Sequence, residues 1–116
     1  MDCYQIFVDL KPGVHDTTFT TALTAWLSQL KAQGHIEGWR LLRRKLGLGP
    51  PTLGEFQILI DTRDLAQLDQ AFRVASARSD PAEAAHHGVN SLVCHFQAAL
   101  YRDFPDAHRV VGQERF

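Results

Sequence analysis

Between Ala82 and Phe96 the chain reads AEAAHHGVNSLVCHF, which brings His86, His87, Cys94 and His95 into one short stretch. Histidine and cysteine are the side chains that most often hold transition metals, and histidine also titrates near neutral pH. A metal site is the first chemistry to weigh. His86 and His87 are adjacent, so on a helix they diverge by about 100°, whereas histidines that chelate one ion lie four residues apart on one face. No carboxylate or thiolate stands at ligand spacing to complete a set with His95. The spacing predicts no bound metal and no cofactor, with His86 and His87 as solvated residues in the last turn of a helix, where the dipole favours their protonated form.

His95 offers a different chemistry. It lies in NSLVCHFQAALY, whose alternation predicts a strand with Leu92, Cys94, Phe96, Ala98 and Leu100 on one face and Val93, His95, Gln97, Ala99 and Tyr101 on the other. Gln5 and Gln57 occupy the matching face of two other predicted strands. An imidazole beside three amides can remove a proton while the amides donate hydrogen bonds to the oxygen that becomes negative, so His95 is the candidate catalytic residue. Gln5, Gln57 and Gln97 are candidate ligand-binding residues, joined by Trp39 and Arg43 from the second strand. The alternative is structural, since the same polar groups at a dimer interface would bond across it or to trapped water. Arg40, Arg43, Arg44 and Lys45 form the one concentration of charge. They would protect a sheet edge from further pairing, or else Arg43 or Arg40 would hold a carboxylate or phosphate at the mouth of a cleft.

The elements that position these residues follow from periodicity. In CYQIFVDL, Tyr4, Ile6, Val8 and Leu10 alternate with Cys3, Gln5, Phe7 and Asp9, a strand ended by KPG. Phe19, Leu23, Trp26, Leu27 and Leu30 recur at helical spacing, with Asp16 or Thr17 as N-cap and Gly34 beyond the end. HIEGWRLLRRKLG predicts a strand whose alternation slips at Leu41 and Leu42, as a bulge would make it, leaving Trp39 or Leu41 on the open face. After the break at Pro50 and Pro51, EFQILID alternates again, and Leu65, Leu68, Phe72 and Ala75 mark a second helix. Asp80, Pro81 and Glu83 start a short third helix, predicted to stop at Gly88 in a left-handed cap.

This order, βαββαβ with an extra short helix before the last strand, predicts an α+β ferredoxin-like fold. It has an antiparallel sheet of order 4-1-3-2 with both long helices on one face. Strand one is expected to run antiparallel to strand four and parallel to strand three. The opposite face would be open, yet it carries Phe7, Leu59, Val93 and Ala99 among its glutamines, a mixture that suggests burial against something else. The same order serves RNA-recognition modules, but the third strand here has one aromatic, Phe56, on the helix side, so no nucleic-acid partner is expected.

With HIEGWRLLRR after the first helix and ALYRDFPD after the last strand, the chain resembles the dimeric α/β-barrel superfamily over roughly residues 2–104, in particular its small uncharacterised bacterial members. The resemblance implies a homodimer packed sheet to sheet around a cleft, in a superfamily that spans monooxygenases, lyases, isomerases and members without known activity. Composition bounds the rest. At 116 residues the chain is one domain, divided here into a protomer over residues 1–104 and a tail over residues 105–116 that reads as an arm across a partner or a disordered end. Twelve Lys and Arg against thirteen Asp and Glu give no basic field for nucleic acid or membrane. No apolar run nears the ~20 residues of a membrane span, and Cys3 and Cys94 show no disulfide spacing, which suits a soluble cytoplasmic protein. The expected function is binding or converting a small organic molecule in a metal-free cleft between sheets, the alternative a non-catalytic assembly or binding dimer.

Overall fold

A computed structural model describes residues 1–77 and 82–105. Its elements are β1 (Asp2–Leu10), α1 (Asp16–Ala32), β2 (Gly38–Arg43), β3 (Phe56–Thr62), α2 (Leu65–Ser76), α3 (Ala82–Asn90) and β4 (Val93–Arg102). The strands form one sheet of order β2-β3-β1-β4, the ferredoxin-like arrangement, with the helices on one face. Every neighbouring pair is antiparallel, including β1 with β3, which corrects the expected parallel pairing. The reason is topological. The crossover through α1 makes β2 parallel to β1, and the connection from β2 reverses the chain, so β3 opposes both of the strands between which it lies. Among the described residues no helix is long and apolar enough to cross a membrane.

The core lies between the sheet and the helices. Ile6 and Val8 of β1 and Phe56, Ile58 and Ile60 of β3 are buried against Phe19, Leu23, Leu27 and Leu30 of α1. These are the alternate positions of two strands and one stripe of a helix, so a single apolar layer closes over both patterns. The α2 start is capped by Asp64, whose side chain accepts from the Gln67 amide at 2.8 Å. Gln67 is itself buried, and its side chain accepts from Arg63 N–H and donates to the Gly34 carbonyl, so its burial leaves no polar atom unmatched.

The third helix departs from expectation. It continues through Gly88 to Asn90 because Val89 is 5% exposed and belongs to the core. The apolar burial gained by one more turn outweighs the capping preference of Gly88. The Asp80–Pro81 start signal lies outside the described residues.

Two strands correct the predicted faces. β2 pairs with β3 without interruption from Gly38 opposite Asp61 to Arg43 opposite Phe56. Trp39 and Leu41 therefore share the helix-facing side with Ile60 and Ile58, and Arg40 and Leu42 take the open side. The irregularity lies in β4 instead. Phe7 is opposite Gln97 but Asp9 is opposite Cys94, so His95 and Phe96 together face the single residue Val8 in a β-bulge. Below the bulge the faces are exchanged: Val93 packs on the core, and Cys94 stands across from Asp9.

Gly54 sets the start of β3. A side chain there would place its Cβ 2.5–2.6 Å from the main-chain N, C and O of Val8, so the two backbones can approach only because Gly54 has none. The substitution Gly54→Ala should cost about 2–3 kcal/mol, the upper part of the overpacking range, because backbone cannot rotate away as a side chain can. Urea unfolding measures it, and an unchanged midpoint would show that the segment can swing clear of Val8.

Candidate functional site

The open face has its centre on β1 and β3. Gln5, Phe7, Gln57 and Leu59 are half-buried there, with Gln97 opposite Phe7 and Ala99 opposite Gln5. The Gln57 amide donates to Gln5 Oε1 at 3.1 Å. Three of the predicted ligand-binding residues, Gln5, Gln57 and Gln97, thus gather around Phe7. Trp39 does not join them, since its ring packs on the core side of β2. Arg43 also leaves this face. Its guanidinium donates to Asp16 and to Glu55 at 3.0 Å each and lies 5.1 Å from the Phe56 ring centroid, although the residue still borders the cleft described below.

His95 projects to the open side from the bulge, with its side chain 76% exposed. Its backbone has φ +56°, in the left-handed region that a few per cent of non-glycine residues occupy, asparagine, aspartate and histidine foremost among them. Such conformations cost of order 1–3 kcal/mol and recur where a side chain has to be aimed. The aim here is Asp9, whose Oδ2 is 3.0 Å from His95 Nδ1. The Asp9 carboxyl is held below its usual range, first by the Glu55 amide, which donates to Oδ1 at 2.8 Å, and then by His95. An ionised carboxylate only accepts, so Nδ1 is the donor in this contact and Nε2 is the ring nitrogen left for a ligand. Cys94 is adjacent, with Sγ 3.6 Å from the same Nδ1 and 3.7 Å from the Leu10 carbonyl. With that nitrogen committed to Asp9, the thiol gains no base to activate it.

A cleft of about 300 Å³ opens beside this floor, roofed by the loop over residues 44–55. Phe7, Leu42, Leu48, Pro50, Leu53 and Gln57 line it, with Arg44 in its wall. Sequence reasoning missed Asp9 and Arg44. Asp9 was legible as a polar residue on the open face of the first strand, but nothing local pairs it with His95 across the sheet. Of the other histidines, His86 stacks on Trp26 with ring centroids 5.0 Å apart, so it is packed against α1 and not merely solvated. Among the described residues no three His, Cys, Asp or Glu side chains come together as a metal site.

These features define a ferredoxin-like α+β protein with an open, amide-bearing sheet face and a histidine–carboxylate pair on its rim. The chain belongs to DUF6614, a family of unknown function whose model matches residues 1–116. No curated protein matches it. Its fold is similar to that of SnoaB, a cofactor-independent oxygenase from Streptomyces nogalater, at TM-score 0.69 and 8% identity over 93% of this chain and 97% of that one. It is also similar to a dimeric ferredoxin-like protein of unknown function from Jannaschia sp. CCS1, at TM-score 0.60 and 15% identity over 89% of this chain and 100% of that one. A further dimeric ferredoxin-like protein, from Thermobifida fusca, matches at TM-score 0.57 and 18% identity over 86% and 88%. Likeness at these identities establishes the shared fold.

The lowered Asp9 pKa carries a stability signature. A depressed carboxyl stabilises the fold above its unfolded pKa of about 3.9, and the contribution is lost as pH falls through the lower folded value. Because the Asp9 side chain is 39% exposed, solvent screening limits the effect to about 1 kcal/mol or less. Asp9→Asn should therefore be slightly less stable than the parent at neutral pH and converge with it in acid. Urea midpoints followed across that range test this, and a gap that stays constant with pH would exclude the carboxylate charge as its source.

Proposed function

We propose that the protein is a homodimer of the α/β-barrel kind whose two open sheet faces enclose a small-molecule cleft, with His95 as a cofactor-independent general base. The observation that supports this best is the His95–Asp9 pair: a left-handed residue in a bulge, with Nδ1 tied to an ionised carboxylate, leaves Nε2 free to take a proton from a bound carbon or hydroxyl acid. Gln97, exposed beside it, and the Gln5–Gln57 pair supply amide donors for the negative oxygen that results. The fold is used for cofactor-independent oxygenation in SnoaB, and the Jannaschia and Thermobifida neighbours are described as dimeric, both in keeping with this reading. Cys3 and Cys94 are free thiols, which suits a cytoplasmic setting.

The half-exposed Phe7, Leu42 and Leu59 on the open face are the apolar residues that a partner sheet would cover. One observation favours the non-catalytic alternative: Gln5 and Gln57 already bond to each other, as interface amides do when they need no ligand.

Light scattering after gel filtration should give twice the chain mass for the parent, and Leu59→Arg should give a monomer or an aggregate, since an unpaired charge in a closed interface is strongly destabilising. A parent of single-chain mass would refute the dimer. For the base, His95→Asn is the informative change, because asparagine tolerates the left-handed backbone but does not titrate. Against a substrate found by screening small organic acids and phenols for loss by mass spectrometry, it should slow turnover by about 10²–10⁴-fold with the dimer intact. Turnover equal to the parent would remove His95 from the chemistry, and a loss confined to Gln97→Leu dimers would point to assembly.

A further inference from the structure

The charge in the cleft wall belongs to a residue with an incomplete set of partners. Arg44 is half-buried, and its Nη2 donates to the Pro50 carbonyl at 3.0 Å and the Leu53 carbonyl at 2.6 Å. Those two bonds fix the plane of the guanidinium under the loop. The guanidinium packs close over Gly49, where an added Cβ would come within 2.8 Å of Arg44 Nε. Among the described residues no carboxylate lies within ion-pair distance of Arg44, and its Nη1 has no protein acceptor. The two nearby carboxylates are engaged elsewhere: Glu55 with Arg43, and Asp9 with His95 and the Glu55 amide. Asp9 acts on Arg44 through space without a direct ion pair, carbonyl dipoles solvate the guanidinium without neutralising it, and a planar fork of N–H donors matches a carboxylate.

We infer that the cleft beneath the β2–β3 loop binds a small, largely apolar carboxylic acid, its carboxylate on Arg44 and its hydrocarbon part over Phe7, Leu42, Leu48 and Leu53. This rests on the reading of the open face as a ligand cleft and adds the class of ligand. Three features select the class. The volume of about 300 Å³ is at the small end of ligand sites, which span about 300–1,000 Å³. The lining is mainly apolar, with the Gln57 amide as its one neutral polar side chain. The single cation of the lining without an ion pair, with Glu55 in the same lining and Asp9 within electrostatic reach of Arg44, suits a monoanion better than a phosphate dianion, which would have only one charge to hold it. The sequence pointed to Arg40 or Arg43 for an anion. Arg43 is bound to Asp16 and Glu55, and Arg40 lies exposed further along β2, so the role passes to Arg44.

The test compares phenylacetate with phenylacetamide, and 4-methylpentanoate with its amide, by methyl NMR titration of the full-length protein at millimolar ligand. Each acid should shift the Leu42, Leu48 and Leu53 methyl signals and bind at least tenfold more tightly than its amide. Arg44→Gln should erase that preference, while Arg44→Lys, which keeps the charge but not the fork, should retain part of it. The acid-to-amide comparison needs no mutation, so it stands even if Arg44→Gln loosens the loop. Equal binding of acid and amide overturns the assignment to Arg44 while leaving a ligand cleft in place. The absence of any shift at those methyls with all four probes overturns both the ligand class and the cleft reading beneath it.

Discussion

Crowding at Val8 is the constraint from which the rest of the open face follows. On one side the bare backbone of Gly54 presses against the Val8 main chain, and on the other β4 supplies two residues where Val8 offers one. The first contact delivers the Glu55 amide to Asp9, and the second turns His95 toward the same carboxylate. Asp9, next in sequence to Val8, is therefore held from both neighbouring strands at once. A regular ladder would have kept Asp9 and His95 at ordinary strand spacing with their side chains standing parallel. The bulge replaces that arrangement with a directed bond, at the cost of one strained backbone residue.

The sequence made most of the fold legible because three elements carry unambiguous periods. β1, α1 and β3 each bury one clean apolar set, and the element order leaves few topologies to choose among. The expectation of a parallel neighbour for β1 failed on connectivity, since the crossover makes β2 parallel to β1 and the reversal after β2 makes β3 run against both. Faces were illegible where both sides of a strand are apolar. Leu41 and Leu42 satisfy either side of β2, and only the pairing with β3 assigns them. In β4 the run from Leu92 to Leu100 has apolar residues at nearly every position, so an inserted residue leaves no mark on the pattern.

The candidate site was half legible for a related reason. Alternation alone places Gln5, Gln57 and Gln97 together, and it did so correctly because those residues lie above the bulge. Asp9 and Arg44 act through contacts that cross the sheet or fold back under a loop, with separations of 86 residues to His95 and of 6 and 9 residues to two carbonyls. Partners of the first kind are set by tertiary register, and partners of the second kind are backbone atoms that carry no sequence signature. Gly88 failed as a stop signal because a cap is worth less than the burial of Val89 one residue later.

The loop over the cleft is closed at its base. The Arg44 amide donates to the Glu55 carbonyl at 2.8 Å, and Arg43 joins Glu55 to Asp16 of α1, so both ends of the segment are tied to the scaffold. Lengthening a loop whose ends are fixed in this way costs little, about 0.6 kcal/mol for each doubling. Related chains are thereby free to vary what roofs the cleft, in size and in charge, without disturbing the sheet that carries His95 and Asp9. On the proposed reading, what selects a ligand and what acts on it would lie on separate pieces of chain, and the first could diverge while the second stands still.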